Sequence, residues 1–202
     1  MIIDQSYFVR RLNVPQVGNT EGLDDLNGYI EQYEPEYLKC VLGFDLWKAF
    51  NEGIDGSGLP DVQRWIDLLE GAEFSQGGCT YYWPGFKPVT GPRISPIAYY
   101  VFWNFADAKE IDFTLAGFVV SKTDNNRTVS GVYPLVYAWN RMCDLNKILY
   151  RFLKVNKAAY PEWKICACPC DDVDHCGCGC NCDPRTPKGC GNLFAKINSL
   201  GL

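Results

Sequence analysis

Eight of the eleven cysteines in this chain of 202 residues lie between residues 166 and 190. The residues between them are mainly Gly, Pro, Asp and Asn, which contribute almost no apolar surface. Such a segment cannot offset its conformational entropy by hydrophobic burial. We therefore expect this cysteine-rich segment, residues 166–190, to be ordered by disulfides, by a bound metal or by a docking surface on another subunit.

Metal binding is one expectation, because the cysteines are spaced as C-x-C pairs. Residues two apart on an extended strand point the same way, with Cα atoms about 6.5 Å apart, so two thiolates can bind one soft ion. A disulfide within C-x-C would be strained. Eight thiols suffice for two tetrahedral zinc sites, or for one site and a disulfide, with the single histidine as a substitute ligand. The candidate ligands are Cys166, Cys168, Cys170, Cys176, Cys178, Cys180, Cys182, Cys190 and His175.

Disulfides between residues 166–170 and 176–190 are the close alternative, and the sequence does not separate the two chemistries. The N-terminus lacks the features of a signal peptide, and no apolar run reaches the ~18 residues of a membrane span. We therefore expect a soluble protein made in a cytosol, where reduced thiols favour a metal. A product that later leaves the cell would still oxidise. No cofactor is required by the sequence, and zinc is the one that this segment suggests.

The rest of the chain gives no sign of catalysis. Its formal net charge is −5 and its longest basic block is Arg10-Arg11, which argues against a surface that follows nucleic-acid phosphates. The only histidine, His175, lies in the cysteine-rich segment, which removes most Ser-His-Asp and Cys-His enzyme designs. Walker-type and dinucleotide-binding glycine motifs are absent from the sequence. We predict that the protein is not an enzyme.

Two other groups of residues, three isolated cysteines and a cluster of aromatic side chains, are candidates for chemistry. The isolated cysteines Cys40, Cys79 and Cys143 occur in helical or apolar surroundings, which predicts buried small side chains rather than nucleophiles. The aromatic residues between positions 99 and 105 could line a ligand pocket. Such clusters more often form a core or an interface, which is the prediction here.

Apolar residues at helical spacing predict a mainly α-helical body over residues 1–160, with a long C-terminal helix and a short β/loop insertion. Residues 161–202 are predicted to be an irregular, cysteine-rich extension. The predicted helix starts are Thr20, Pro35, Pro60 and Pro96, and the longest helix is predicted over residues 132–157.

The sequence also predicts where helices end and where short strands lie between them. Gly43 is expected to mark a break, and Gly71 is expected to end the helix that starts at Pro60. The run Tyr81–Trp83 predicts a short strand. Residues 113–129 predict a second strand that leads into a polar loop.

Five stretches of the body resemble a known family of viral proteins. They are Tyr33–Gly43, Leu46–Phe50, Trp65–Phe74, Ser95–Phe102 and Val136–Met142. In these stretches the chain resembles the head-to-tail adaptor (connector) proteins in the necks of tailed phages that infect Bacteroidetes, crAss-like phages among them. The resemblance covers about residues 1–160, and its motifs consist of packing residues.

The resemblance implies a structural virion protein that is made in the host cytoplasm and located in the neck. It implies a homo-oligomeric ring of about twelve subunits that contacts the portal protein and the tail or further neck ring proteins. DNA would pass through the channel without sequence-specific binding, and no membrane is involved. Residues 113–130 are the region expected to contact neighbouring subunits.

The cysteine-rich segment departs from the family pattern. As part of an adaptor, we expect it to lock adjacent subunits together or to dock on the next ring. The alternative function is a metal-binding or redox module, in which the cysteine cluster is the active part and the helical body is its scaffold.

Overall fold

The computed structural model describes residues 1–14, 20–54, 60–89, 93–115, 132–164 and 193–197. This part of the chain is mainly helical, as the sequence predicts. Two short 3-10 helices come first, Gln5–Tyr7 and Arg10–Leu12. They precede α1 (Thr20–Leu42), α2 (Phe44–Glu52), α3 (Gln63–Glu70), β1 (Ala72–Gln76), β2 (Cys79–Trp83), α4 (Pro96–Leu115) and α5 (Val132–Val155).

Helix α1 is continuous through Pro35, so the predicted start of a separate helix at this proline is wrong. Proline lacks the N–H that would bond to the carbonyl four residues earlier, which usually costs about 3 kcal/mol within a helix. Here both halves of the helix bury apolar side chains in one core, so tertiary packing overrides the local preference. Those side chains include Leu26 and Ile30 before the proline, and Tyr37 and Leu42 after it.

Two glycines interrupt the helices as predicted. Gly43 separates α1 from α2 with φ 77°, and Gly71 follows α3 with φ 107°. Side chains other than glycine rarely adopt these backbone conformations. A Cβ atom at Gly71 would also lie 2.5 Å from the carbonyl oxygen of Trp83, so the close approach of α3 to the hairpin requires glycine here.

The two strands form an antiparallel hairpin beside the helices. Strand β2 contains the predicted strand, whereas β1 was not predicted. Gly77 and Gly78 both have positive φ, which suits the two-residue turn that joins the strands. Phe74 pairs with Tyr81, and its buried ring lies 5.7 Å from the ring of Phe152 in α5. The hairpin is therefore part of the core.

Three predicted boundaries differ from the observed ones. Helix α3 begins at Gln63, because Pro60 takes part in an isolated β-bridge. Helix α4 continues to Leu115, so the strand predicted from residue 113 is wrong at residues 113–115. A helix that is already nucleated gains a hydrogen bond with each added residue, which favours its extension over a new strand. The remainder of that prediction, residues 116–129, lies outside the described residues.

Helices α1, α4 and α5 form the centre of the body. The rings of Trp103 in α4 and Trp139 in α5 lie 4.8 Å apart, and those of Tyr33 in α1 and Tyr100 in α4 lie 6.0 Å apart. The predicted burial of the aromatic cluster in α4 is confirmed for Tyr99, Tyr100, Phe102 and Phe105. Among the helices that the structure describes, none is long and apolar enough to cross a membrane.

The start of the chain is bound to α1 by a buried carboxylate. The two carboxylate oxygens of Glu34 lie 2.8 and 2.9 Å from the Ile2 nitrogen, and one lies 3.0 Å from the Ile3 nitrogen. Burial raises the pKa of Glu34, whereas these N–H groups and the terminal ammonium partly oppose the rise. The N-terminal residues are thereby part of the core, in which Ile3 is buried.

Candidate functional site at the ends of the cysteine-rich segment

The candidate metal ligands, from Cys166 to Cys190 and including His175, lie outside the described residues. The stretches on either side, residues 160–164 and 193–197, are described. Both are bound to the helical body. Their contacts fix the described chain that precedes and follows the cysteine-rich segment.

The first of these stretches is bound to α3 and α5. The Tyr160 hydroxyl donates to the carbonyl oxygen of Arg64 at 2.7 Å, and burial raises the pKa of this phenol. The guanidinium of Arg64 in turn binds the carboxylate of Glu162, with nitrogen–oxygen distances of 3.0 and 3.1 Å. The ring of Trp163 lies 5.2 Å from that of Tyr150. The chain is therefore fixed up to the residues next to the cysteines.

The second stretch, which we call the C-terminal strap (residues 193–197), lies along α5. Alternate backbone carbonyls of the strap accept hydrogen bonds from side chains that project from one side of this helix. These bonds join Asn146 Nδ2 to Leu193 O (2.7 Å), Trp139 Nε1 to Ala195 O (2.8 Å) and Asn140 Nδ2 to Ile197 O (2.9 Å).

Side chains of the strap add contacts with the same helix. Leu193 is buried, and the ring of Phe194 lies 6.4 Å from the ring of Tyr150. Lys196 forms an ion pair with Asp144 at 2.8 Å. Because that pair is half-exposed, we attribute the attachment mainly to the apolar contacts and to the hydrogen bonds, of which the one between Asn146 and Leu193 is buried.

Asn146 connects the strap to the core. Its side chain is fully buried; its amide oxygen accepts a hydrogen bond from the Tyr37 hydroxyl of α1, and its amide nitrogen donates to Leu193. Burial raises the pKa of Tyr37 well above its usual range, so this phenol stays a hydrogen-bond donor. One amide thus joins α1, α5 and the strap.

Cys143 lies beneath the strap. Its buried thiol donates to the carbonyl oxygen of Ala195 at 3.2 Å. Burial raises the pKa of this thiol to about 11. A thiol that stays protonated at neutral pH is a poor nucleophile. The prediction that Cys143 is a buried structural side chain is confirmed.

The predictions for the other two cysteines of the body need correction. Cys79 is a free thiol but is exposed, because β2 begins with it directly after the Gly77–Gly78 turn. Cys40 is buried in α1 as predicted, yet it is disulfide-bonded rather than an isolated thiol. Cys79 and Cys143 are free, so the partner of Cys40 is not among the described cysteines.

The two asparagines that bind the strap were not among the predicted functional residues. Asn146 is fully buried in α5 and Asn140 is partly buried, and a buried amide requires hydrogen-bond partners. Asparagines in a helix that is otherwise rich in apolar residues were therefore the sequence signal for this contact. Within the described ranges, no group of three or more His, Cys, Asp or Glu side chains is placed to hold a metal ion. Zinc in the cysteine-rich segment stays a prediction.

Comparison of the chain with protein-family models, with curated proteins and with solved structures finds no significant match.

Proposed function

We propose that this chain is a head-to-tail adaptor subunit, which forms a ring in the neck of a tailed phage and joins the portal to the tail. One observation supports this function above the others. The stretches that resemble adaptor proteins supply much of the described core. Their buried residues include Tyr37, Leu42, Leu46, Phe50, Trp65, Leu68, Phe74, Ile97, Val101, Ala138 and Met142.

The overlap between the core and the adaptor-like stretches matters because the resemblance consists of packing residues. A framework of core residues specifies an arrangement of helices, and a structural ring subunit depends on such an arrangement rather than on a catalytic constellation. In the proposed ring, residues 113–130 would contact neighbouring subunits, as the resemblance implies; the first three of them form the end of α4. The helices themselves would form the rigid part of each subunit.

The anchored ends of the cysteine-rich segment suggest how it would serve a ring. Residues 160–163 and the C-terminal strap are both bound to the body. A segment held at both ends transmits force to the body, so cross-links made through it would stabilise contacts between subunits. In the proposed neck, such cross-links would resist the pressure of the packaged genome.

The proposal is tested by imaging the purified full-length protein by negative-stain electron microscopy, alone and after mixing with the portal protein encoded by the same genome. A closed ring, formed alone or on the portal, is the expected result. Single subunits under both conditions would contradict the proposal. The sample with portal protein is included because some adaptor rings close only on their portal.

The alternative function is a metal-binding or redox module centred on the cysteine-rich segment. The disulfide at Cys40 is the observation that supports redox chemistry within this alternative. Metal analysis of the protein purified without chelator separates the two chemistries. Stoichiometric zinc that is lost with a change in function on chelation would favour the metal module, and a metal-free, oxidised monomer would favour the redox module.

A further inference from the structure

A cationic cavity of about 420 Å³ lies between the N-terminal 3-10 helices, residues 93–94 and helices α4 and α5. Three arginines and three tyrosines line it, and the remaining lining residues are aliphatic. The six are Arg10, Arg11, Arg93, Tyr7, Tyr99 and Tyr137. The cavity contains the longest basic block of an acidic chain, so this concentration of positive charge runs against the overall composition.

Two of the arginines lie over aromatic rings of the cavity. The guanidinium carbon of Arg11 is 4.4 Å from the centre of the Tyr137 ring, and that of Arg93 is 5.7 Å from the centre of the Tyr7 ring. Contact with a ring face fixes the guanidinium while its N–H groups remain available at the edge. Arg93 also donates to the Ser6 hydroxyl.

The charge of the cavity is poorly neutralised by the protein. Among the described residues, Arg10 and Arg11 take part in no ion pair. Asp4 interacts electrostatically with Arg93 but is not a lining residue, and its carboxylate is hydrogen-bonded to Ser6. An anion that enters the cavity would therefore meet at least two guanidinium groups and, from the part of the chain that the structure describes, no competing carboxylate.

The backbone conformation of Arg10 and the position of Tyr99 also support a binding site here. Arg10 has φ 59°, the only positive φ of a non-glycine residue in the described part of the chain. Residues held in such conformations are concentrated at functional sites. Burial raises the pKa of Tyr99 to about 12, and its side chain is hydrogen-bonded with Tyr137 and Arg141. Tyr99 was predicted to be a core residue, and it is buried while also facing this cavity.

We propose that this cavity binds the phosphate group of a nucleotide. Guanidinium groups match phosphate geometry, and tyrosine and aliphatic side chains offer surface for a sugar and base. The volume falls within the range of about 300–1,000 Å³ that is typical of small-molecule sites, and is larger than inorganic phosphate needs. A free nucleotide and a nucleic-acid strand offer the same chemistry. The site goes beyond the adaptor function and does not depend on it.

The test is isothermal titration calorimetry of the full-length protein at low ionic strength. The probes are deoxyadenosine monophosphate, a short single-stranded oligonucleotide, inorganic phosphate and a hexaglutamate peptide. Arg10→Ala combined with Arg11→Ala removes two of the three exposed cations of the cavity. Arg151→Ala is the matched control, because Arg151 lies 5.9 Å from the ring centre of Tyr81 and does not line the cavity.

We expect the mononucleotide or the oligonucleotide to bind the double variant at least about tenfold more weakly than it binds the parent protein. Its affinity for the Arg151→Ala control should equal that for the parent. Binding of the mononucleotide identifies a free nucleotide as the ligand, and binding of the strand alone identifies nucleic acid. Arg93→Gln provides a second test if the double variant does not fold. The proposal is overturned if neither nucleotide probe binds, if the variants do not weaken binding, or if phosphate or hexaglutamate binds as tightly.

Discussion

Asn140 of α5 and Ile197 of the C-terminal strap form a reciprocal pair of hydrogen bonds. The Asn140 amide nitrogen donates to the Ile197 carbonyl oxygen at 2.9 Å, and the Ile197 N–H donates to the Asn140 amide oxygen at 2.8 Å. A side-chain amide that satisfies both backbone groups of one residue binds it in a single orientation. The strap, which follows the cysteine-rich segment in the chain, is thereby fixed along the helix.

Replacement of Asn146 by Ala should destabilise the protein by about 2–4 kcal/mol, since it leaves the Tyr37 hydroxyl and the Leu193 carbonyl without their partner in a buried site. Urea unfolding measures the loss. Asn156→Ala is the matched control, because the Asn156 amide donates to Phe152, four residues earlier in the chain, and is only partly buried. An equal loss in both variants would show that Asn146 has no special role.

Removal of the strap should expose Cys143. In a chain that ends at residue 192, the thiol loses its acceptor Ala195 and its cover, so its pKa falls from about 11 towards the ordinary thiol range. Alkylation of Cys143, followed by mass spectrometry, should be at least about tenfold faster than in the full chain.

Two controls accompany this experiment. The exposed Cys79 should react rapidly in both chains and so calibrates the reagent. A chain that ends at residue 198 keeps every described anchor of the strap and should protect Cys143 like the full-length protein. Equal alkylation rates of Cys143 with and without the strap would contradict the account of its burial.

Much of the framework could be predicted from the sequence, since Gly43, Gly71 and Pro96 leave strong local signals at helix ends. Continuity of α1 through Pro35 could not be predicted, because distant apolar contacts decide it. The strap was also missed: its contacts join Asn140 and Asn146 to residues some fifty positions away, and hydropathy carries no information on such pairing. Cys40 was misjudged for the same reason, since a disulfide partner is distant in sequence.

The buried carboxylate of Glu34 should make stability depend on pH. Its pKa in the folded protein is raised, chiefly by burial, so the ionised form is disfavoured by folding. The resulting cost is absent below the unfolded pKa near 4.5 and is fully present above the folded pKa. Stability contributed by this residue therefore falls as pH rises through that window.

Glu34→Gln tests the direction of this pH dependence, because glutamine keeps an oxygen for the Ile2 and Ile3 N–H groups but does not ionise. Urea unfolding of both proteins from pH 4 to pH 7 should show the variant gaining stability relative to the parent as pH rises. A relative gain by the parent instead would mean that its hydrogen bonds and the terminal ammonium outweigh the cost of burial.

The disulfide at Cys40 predicts a reductant-sensitive fold. Reduction should destabilise the protein by about 2–4 kcal/mol, the range typical of disulfides. Thermal unfolding with and without a phosphine reductant measures this, and Cys40→Ser should remove at least part of the sensitivity. Cys79→Ser is the control, since Cys79 is a free thiol. A melting temperature that does not respond to reductant would contradict the prediction.

The most direct test of the adaptor function is native mass spectrometry of the full-length protein, purified without reductant or chelator and measured alone and with the portal protein of the same genome. The account predicts a closed homo-oligomer of about twelve subunits of 22.8 kDa, alone or on the portal. The residual mass would then report zinc or disulfides in each subunit. A 22.8 kDa monomer in both samples would contradict the account.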